Sequence, residues 1–173
     1  MDRGATGRIG TLTERKTGYL IAFILPPLTE EQEMLSEDEK ELYRLTMGMR
    51  FADGAANSLK AKLKPKFLKT LTLDNGIENN GFEWIEKAIP SFKVYFAKPY
   101  HSWERGTNEN TNGLLRQYFP KGMDFRNITQ KMLDKAVAEI NNRPRKRLGW
   151  KSPQEKMWQN AALIASKKSR DLK

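Results

Sequence analysis

The sequence predicts an α/β fold, a mixed sheet flanked by helices, and two observations lead there. Two segments rich in Thr, Ile, Leu and Phe, Gly10 to Arg15 and Gly18 to Leu25, are joined by a short polar turn around Lys16-Thr17-Gly18 and read as a hairpin. Extended and helical patterns then alternate: Phe67 to Leu73 extended, Gly81 to Ile89 helical, Phe92 to Phe96 extended, and a helix after Gly106. At 173 residues, 38% hydrophobic and 30% charged, the chain suffices for one domain with a real core, set at residues 1–166 with a frayed basic tail at 167–173.

The second hairpin strand, YLIAFIL, is almost continuously apolar, as a strand buried on both faces should be, which predicts a central position in the sheet. Pro26-Pro27 stops it. Thr29 with Gln32 and Ser36 with Glu39 make capping-box patterns for an acidic helical connection between residues 26 and 65. Its acids, Glu30, Glu31, Glu33, Glu37, Asp38, Glu39 and Glu41, spread around a helix and read as a solvated face, not a metal cluster. Leu42, Leu45 and Met49, at i, i+3 and i+7, are expected to hold this helix to the body, with Gly48 and Gly54 loosening the chain beyond.

In the next strand, Leu71 and Leu73 share one pleat face while Thr70, Thr72 and Asp74 share the other. Asp74 is then either the first residue of an Asx turn ahead of Asn75-Gly76, or a carboxylate presented at a strand's carboxyl end, where α/β sheets build their sites. Phe82, Ile85 and Ile89 predict a short helix ended by Pro90, and Phe92, Val94 and Phe96 alternate as a strand.

At about 100° per residue, Asn108, Glu109, Asn112 and Arg116 fall on one side of the next helix, and Thr111, Leu114, Leu115 and Tyr118 on the other. Thr107 or Asn108 can cap it, with Gly106 just before it allowing a sharp approach from the turn that Pro99 begins. Glu109 therefore stands in the first turn, as a solvated acid complementing the dipole or as the partner of Asp74 in binding a hard divalent ion. Asn108, Asn112 and Arg116 on the same face suit phosphate oxygens.

Thr129 to Asn142 is amphipathic, with Leu133, Ala136, Val137 and Ile140 on one stripe. Arg143, Arg145, Lys146 and Arg147 come next, close to Trp150, as a solvated connector or a nucleic-acid contact. Ser152-Pro153-Gln154-Glu155 forms a capping box with Pro at the first helical position, opening a helix through about Ser166.

Composition excludes several classes. No cysteine is present, so disulfides and thiolate metal sites are ruled out, and the single histidine, His101, is read as structural. Trp103 reads as a buried aromatic or as a platform for a nucleobase. No apolar run approaches the roughly 18 to 20 residues a membrane helix needs, so no membrane partner and a cytoplasmic location are expected. The net charge is +10; outside the acidic block from Thr29 to Glu41, thirty basic and fourteen acidic residues leave a balance of +16, which favours polyanions.

Three runs carry a resemblance: TLTLDNG (70–76), YFAKPYHSWERGTNENTNGLLRQYFPKG (95–122) and NNRPRKRLGWKSP (141–153). Together with the hairpin they resemble the integrase core of DDE-type insertion-sequence transposases, and most closely the insertion-sequence-thirty family. The resemblance implies a ribonuclease H-like fold on which two Asp and one Glu hold two divalent metals, magnesium with manganese as a substitute, for cleavage and transfer of DNA strands. It puts the second Asp on Asp74 and the Glu on Glu109. The first Asp belongs to an opening strand ahead of the TLTER hairpin (11–15), where only ten residues stand and Asp2 is out of register. The resemblance thus implies a chain lacking its first strand, weak or inactive in catalysis, with double-stranded DNA (transposon ends and target) as partner and a homo-oligomer when active. The alternatives are a non-catalytic DNA-binding remnant and a nuclease acting on RNA-containing duplexes.

Overall fold

The computed structural model describes residues 8–25, 39–63, 69–73, 79, 81–98, 106–120, 122–124 and 127–170. Strands β1 (Arg8–Thr13) and β2 (Leu20–Leu25) form the expected antiparallel hairpin, with Arg8 opposite Leu25 and Thr13 opposite Leu20. Glu14 builds the turn. Its carboxylate accepts the backbone N–H groups of Lys16 (3.0 Å) and Thr17 (2.7 Å) and the Thr17 hydroxyl (2.6 Å). Gly10 and Gly54 bracket the Phe23 ring so closely that a Cβ on either would run into it, which seats the ring against Phe51 at 5.5 Å between centroids.

β2 is buried as its composition requires, but it is an edge strand of the hairpin and not a central one. Its outer edge is covered by side chains of a helix, α4 (Gln130–Asn142). Asn141 accepts the Leu20 N–H and donates to the Leu20 carbonyl, both at 2.8 Å, while Gln130 accepts the Ile24 N–H and donates to the Ala22 carbonyl. Amide side chains thus do here what a neighbouring backbone would do in a sheet.

The long helix α1 (Lys40–Lys62) packs through Met47, Phe51, Ala55 and Leu59, with Ala52 and Ala56 beside them and Leu63 just past its end. Leu42, Leu45 and Met49, expected to face the body, are 53%, 47% and 36% exposed, because the stripe rich in small residues lets the helix lie closer to the sheet. Gly48 and Gly54 mark close approaches instead of loosening the helix: Gly48 receives Gly81, and Gly54 receives Phe23. The capping patterns begun by Thr29 and Ser36, the acids from Glu30 to Asp38 and the start of the strand at Phe67 lie outside the described residues.

Strands β3 (Thr70–Leu73) and β4 (Lys93–Phe96) run parallel, Thr70 beside Lys93 and Leu73 beside Phe96, with helix α2 (Phe82–Ala88) between them in the chain. Leu73 is buried and Leu71 half-buried, while Thr70 and Thr72 are exposed, the alternation the sequence predicts. Among the described residues the strands form two separate pairs and not one mixed sheet. Both pairs nevertheless lie on one apolar layer, which joins Leu12, Ile21, Phe23 and Leu25 to Phe51, Leu59, Leu73, Ile85 and Phe92. A second core on the hairpin's other face joins Leu20 and Ala22 to Leu115, Phe119, Leu133, Val137 and Ile140.

Helix α3 (Gly106–Leu115) buries Thr111 and Leu115, with Leu114 and Tyr118 packed against the second core, as its periodicity predicts. It starts at Gly106, so Thr107 and Asn108 stand inside its first turn and not at its cap. After α4, capped by Thr129 through the Met132 N–H, a short 3₁₀ turn (Lys146–Leu148) leads to α5 (Pro153–Arg170), which runs past Ser166. The capping box forms in full: Glu155 accepts the Ser152 N–H at 2.7 Å, and the Ser152 hydroxyl accepts the Glu155 N–H at 3.2 Å. No helix is long and apolar enough to cross a membrane among the described residues.

Two outcomes are expected. Asn141→Ala strips a buried N–H and a buried carbonyl of their partners and should cost about 2–4 kcal/mol in urea unfolding. The Ser152 backbone N–H, then its hydroxyl, hold the Glu155 carboxyl below its ordinary range, so the cap contributes fully above the unfolded value and fades as pH falls through the lower folded one. Tm measured from pH 6 down to pH 3 should accordingly fall less in Glu155→Gln than in the parent.

Candidate functional site

A cavity of about 680 Å³ lies where the two strand pairs and α3 meet. β1 and its turn wall one side from Ile9 to Lys16, and Thr70 to Leu73 of β3 wall another. Leu25 and Asn79, Met47 and Phe51 of α1, and Thr107, Asn108 and Asn112 of α3 complete the described lining. Leu73, the residue before Asp74, and Asn108, the residue before Glu109, therefore border one space, although thirty-five positions separate the two acids in sequence.

The face of α3 opposite its buried side carries the groups the sequence picked out. The Asn112 Oδ1 accepts the Thr11 hydroxyl at 2.9 Å, and the Asn108 Oδ1 accepts the Thr13 hydroxyl at 3.1 Å. These two bonds fix α3 across β1 and leave the Nδ2 groups as the donors of each amide. Glu109 is exposed beside them, and Arg116 is exposed just past the helix end. Asp74, Asp2, His101 and Trp103 lie outside the described residues. Among the described residues, no group of three or more His, Asp or Glu side chains is gathered where a metal ion could be held.

The basic loop after α4 has a defined shape. Arg145 donates its backbone N–H to the Lys151 carbonyl, and its own carbonyl accepts the N–H groups of Leu148 and Trp150. The Arg147 guanidinium donates to the Lys16 carbonyl at 2.9 Å, which ties the loop to the hairpin turn across 131 residues of sequence. Gly18, at φ 71°, sits directly under the guanidinium groups of Arg145 and Arg147. Burial first, and then the charges of Arg147 and Arg143, push the Arg145 guanidinium below its ordinary value. Its Nη2 is buried without a hydrogen-bond partner, and no carboxylate pairs with these arginines among the described residues. Lys146 is exposed, and Trp150 is 70% exposed at a φ of 63°. Cations pressed together in this way have the chemistry to take an anion.

Arg15 and Lys16 join this surface, and sequence reasoning did not single them out as functional. The charge of the loop was legible in sequence; its pairing with a turn 131 residues away had no local signal.

No family model matches the chain. The transposase for insertion sequence element IS4351 of Bacteroides fragilis is 54% identical over 103 residues, 57% of this chain and 31% of that protein. Transposase InsI for insertion sequence element IS30C of Escherichia coli (strain K12) is 42% identical over 134 residues, 73% of this chain and 34% of that protein. The transposase for insertion sequence element IS1086 of Cupriavidus metallidurans is 44% identical over 150 residues, 87% of this chain and 38% of that protein. The chain belongs among the insertion-sequence transposases. Within them it is of the IS30 type, and it spans about a third of the length of the curated relatives it matches.

Because the Arg145 charge is half-buried and crowded by like charges, Arg145→Met should leave stability in urea at low salt unchanged or raise it by up to about 1 kcal/mol. Added sulfate should then raise the Tm of the parent more than that of the variant.

Proposed function

We propose that this chain is the integrase-core portion of an IS30-type transposase, ribonuclease H-like in architecture, which grips double-stranded DNA through its phosphates. The observation that carries the reading is the arginine loop: a cluster of guanidinium groups locked over the hairpin turn, one with a buried unpartnered nitrogen. Arg143, Arg145, Lys146 and Arg147 take phosphate oxygens, and Asn112, Asn108 and Arg116 add backbone contacts at the mouth of the cavity. None of these groups reads bases, so binding rests on counterion release and depends steeply on salt.

Magnesium, with manganese as a substitute, is the ion this reading assigns to Asp74 and Glu109, where it would polarise the phosphodiester being cleaved. Glu109 is exposed and flanked in sequence by amide residues, and among the described residues no group of three or more His, Asp or Glu side chains is gathered. We derive no catalytic step through the metal. The chain's own residues bind and orient DNA.

The test uses a labelled 30-base-pair duplex carrying terminal repeats of an IS30-type element. Arg143→Gln, Arg145→Gln and Arg147→Gln together should flatten the slope of log affinity against log salt by about 2 to 3, since each phosphate contact contributes about 0.9. An unchanged slope would sink the proposed interface. With magnesium, strand-transfer product from the parent that both Asp74→Asn and Glu109→Gln abolish is the result this assignment expects; product that survives either substitution would contradict it.

A further inference from the structure

Trp150 is the large apolar side chain most open to solvent among the described residues, 70% exposed where Tyr95, next after it, is 57%. Its backbone is as unusual as its exposure. Gly149 and Trp150 both take left-handed φ values, 66° and 63°, a conformation open to glycine that a bulky residue rarely adopts. A strained backbone that carries an unburied indole gains nothing visible for the fold.

Hydrogen bonds nevertheless hold the indole's base in place. The Trp150 N–H donates to the Arg145 carbonyl and the Arg145 N–H to the Lys151 carbonyl, both at 3.1 Å, and the Gly149 N–H returns to the Lys146 carbonyl at 3.0 Å. The exit from the loop is held as well, since Ser152 and Pro153 are buried and Ser152 is locked into the capping box with Glu155. A ring on such a frame has only its own two side-chain torsions to lose on binding, which suits an aromatic anchor.

The surroundings state what kind of partner fits. From Arg143 to Lys151 the chain carries Arg143, Arg145, Lys146, Arg147 and Lys151 and no acid. A flat aromatic face set among cations matches a polyanion that has flat faces of its own, which is a nucleic acid. In a continuous duplex those faces are covered by the neighbouring base pairs, so an indole reaches one only where a base is unpaired or turned out of the stack. An anionic lipid surface shares the charge but is gripped through a broad apolar face. The other large apolar side chain of this loop, Leu148, is half-buried and adds little to such a face.

We propose that Trp150 is a stacking platform for one unpaired base of the bound DNA, so that the chain prefers a duplex that adjoins a single-stranded segment over a continuous duplex. The arginines of the loop take phosphates and the indole takes the base, without choosing among sequences, because every base offers a face. This inference rests on the DNA-binding reading above and adds to it the form of DNA that is preferred.

Fluorescence anisotropy at one fixed salt concentration tests it with labelled DNAs: a blunt duplex of about 30 base pairs, the same duplex with a 3′ tail of about six thymidines, and the same duplex with a tail of abasic sites, which keeps the phosphates and removes the faces. The parent should bind the thymidine tail about tenfold more tightly than the abasic tail. Trp150→Asn, whose new side chain tolerates the left-handed backbone, should erase that difference, and Trp150→Phe should keep part of it. Equal affinity of the parent for the two tails, or a preference that survives Trp150→Asn, would overturn the proposal. So would adsorption to phosphatidylglycerol vesicles that needs Trp150 and comes without a tail preference, since the indole would then serve a membrane. A steep salt dependence on the blunt duplex alongside any of these results would leave the phosphate-binding reading standing, whereas no binding to any of the DNAs would remove both.

Discussion

The hairpin stands between two cores, and the bond that makes this arrangement possible joins the Asn141 side chain to the backbone of Leu20. A strand as apolar as β2 must be buried, yet burial strands every N–H and carbonyl that lacks a partner, at roughly 1–3 kcal/mol each. Asn141, itself 2% exposed, supplies both a donor and an acceptor at 2.8 Å. Gln130, about three helical turns earlier on α4, repeats the arrangement at Ala22 and Ile24. With that edge closed, β2 can present Ile21, Phe23 and Leu25 to α1 and Leu20 and Ala22 to α4 at once.

The opposite edge of the hairpin borders the cavity, and the candidate site grows there. β1 offers its free side to the cavity, its threonine hydroxyls hold α3 in place through Asn108 and Asn112, and α3 brings Glu109 to the rim. β3 reaches the same cavity from the other strand pair and carries the chain to the threshold of Asp74. The hairpin turn meanwhile anchors the arginine loop through Lys16. One hairpin thereby organises the groove, the carboxylate-bearing helix and the cationic surface, although these come from widely separated parts of the chain.

What could be read from the sequence was local. The Ser152 to Glu155 capping box, the buried stripe of α4 and the alternation of Thr70 to Leu73 all rest on neighbours a few residues apart, and all are present. The misreadings share a physical cause. Apolar continuity in β2 reports burial, but it does not say whether an amide side chain or a strand satisfies its edge, and Asn141 is 121 residues away. In α1 the sequence offered two possible stripes. Leu42, Leu45 and Met49 carry one stripe, whereas the buried one alternates Met47, Phe51 and Leu59 with Ala52, Ala55 and Ala56. The bonds of Asn112 to Thr11 and of Asn108 to Thr13 likewise had no local signal in the sequence. The family itself was legible because long contiguous runs carry it, and relatives at 42–54% identity bear it out.

The central claim is that β1 and β3 border one cavity. The chain has no cysteine, so Arg15→Cys with Thr72→Cys, both on the cavity wall, gives a clean pair of positions for nitroxide labels. With both positions on the wall of one cavity, and the label linkers included, the expected separation is about 15–25 Å in a narrow distribution by pulsed electron resonance. A broad distribution, or one centred beyond about 35 Å, would show that the two strand pairs do not share a groove and would contradict the account.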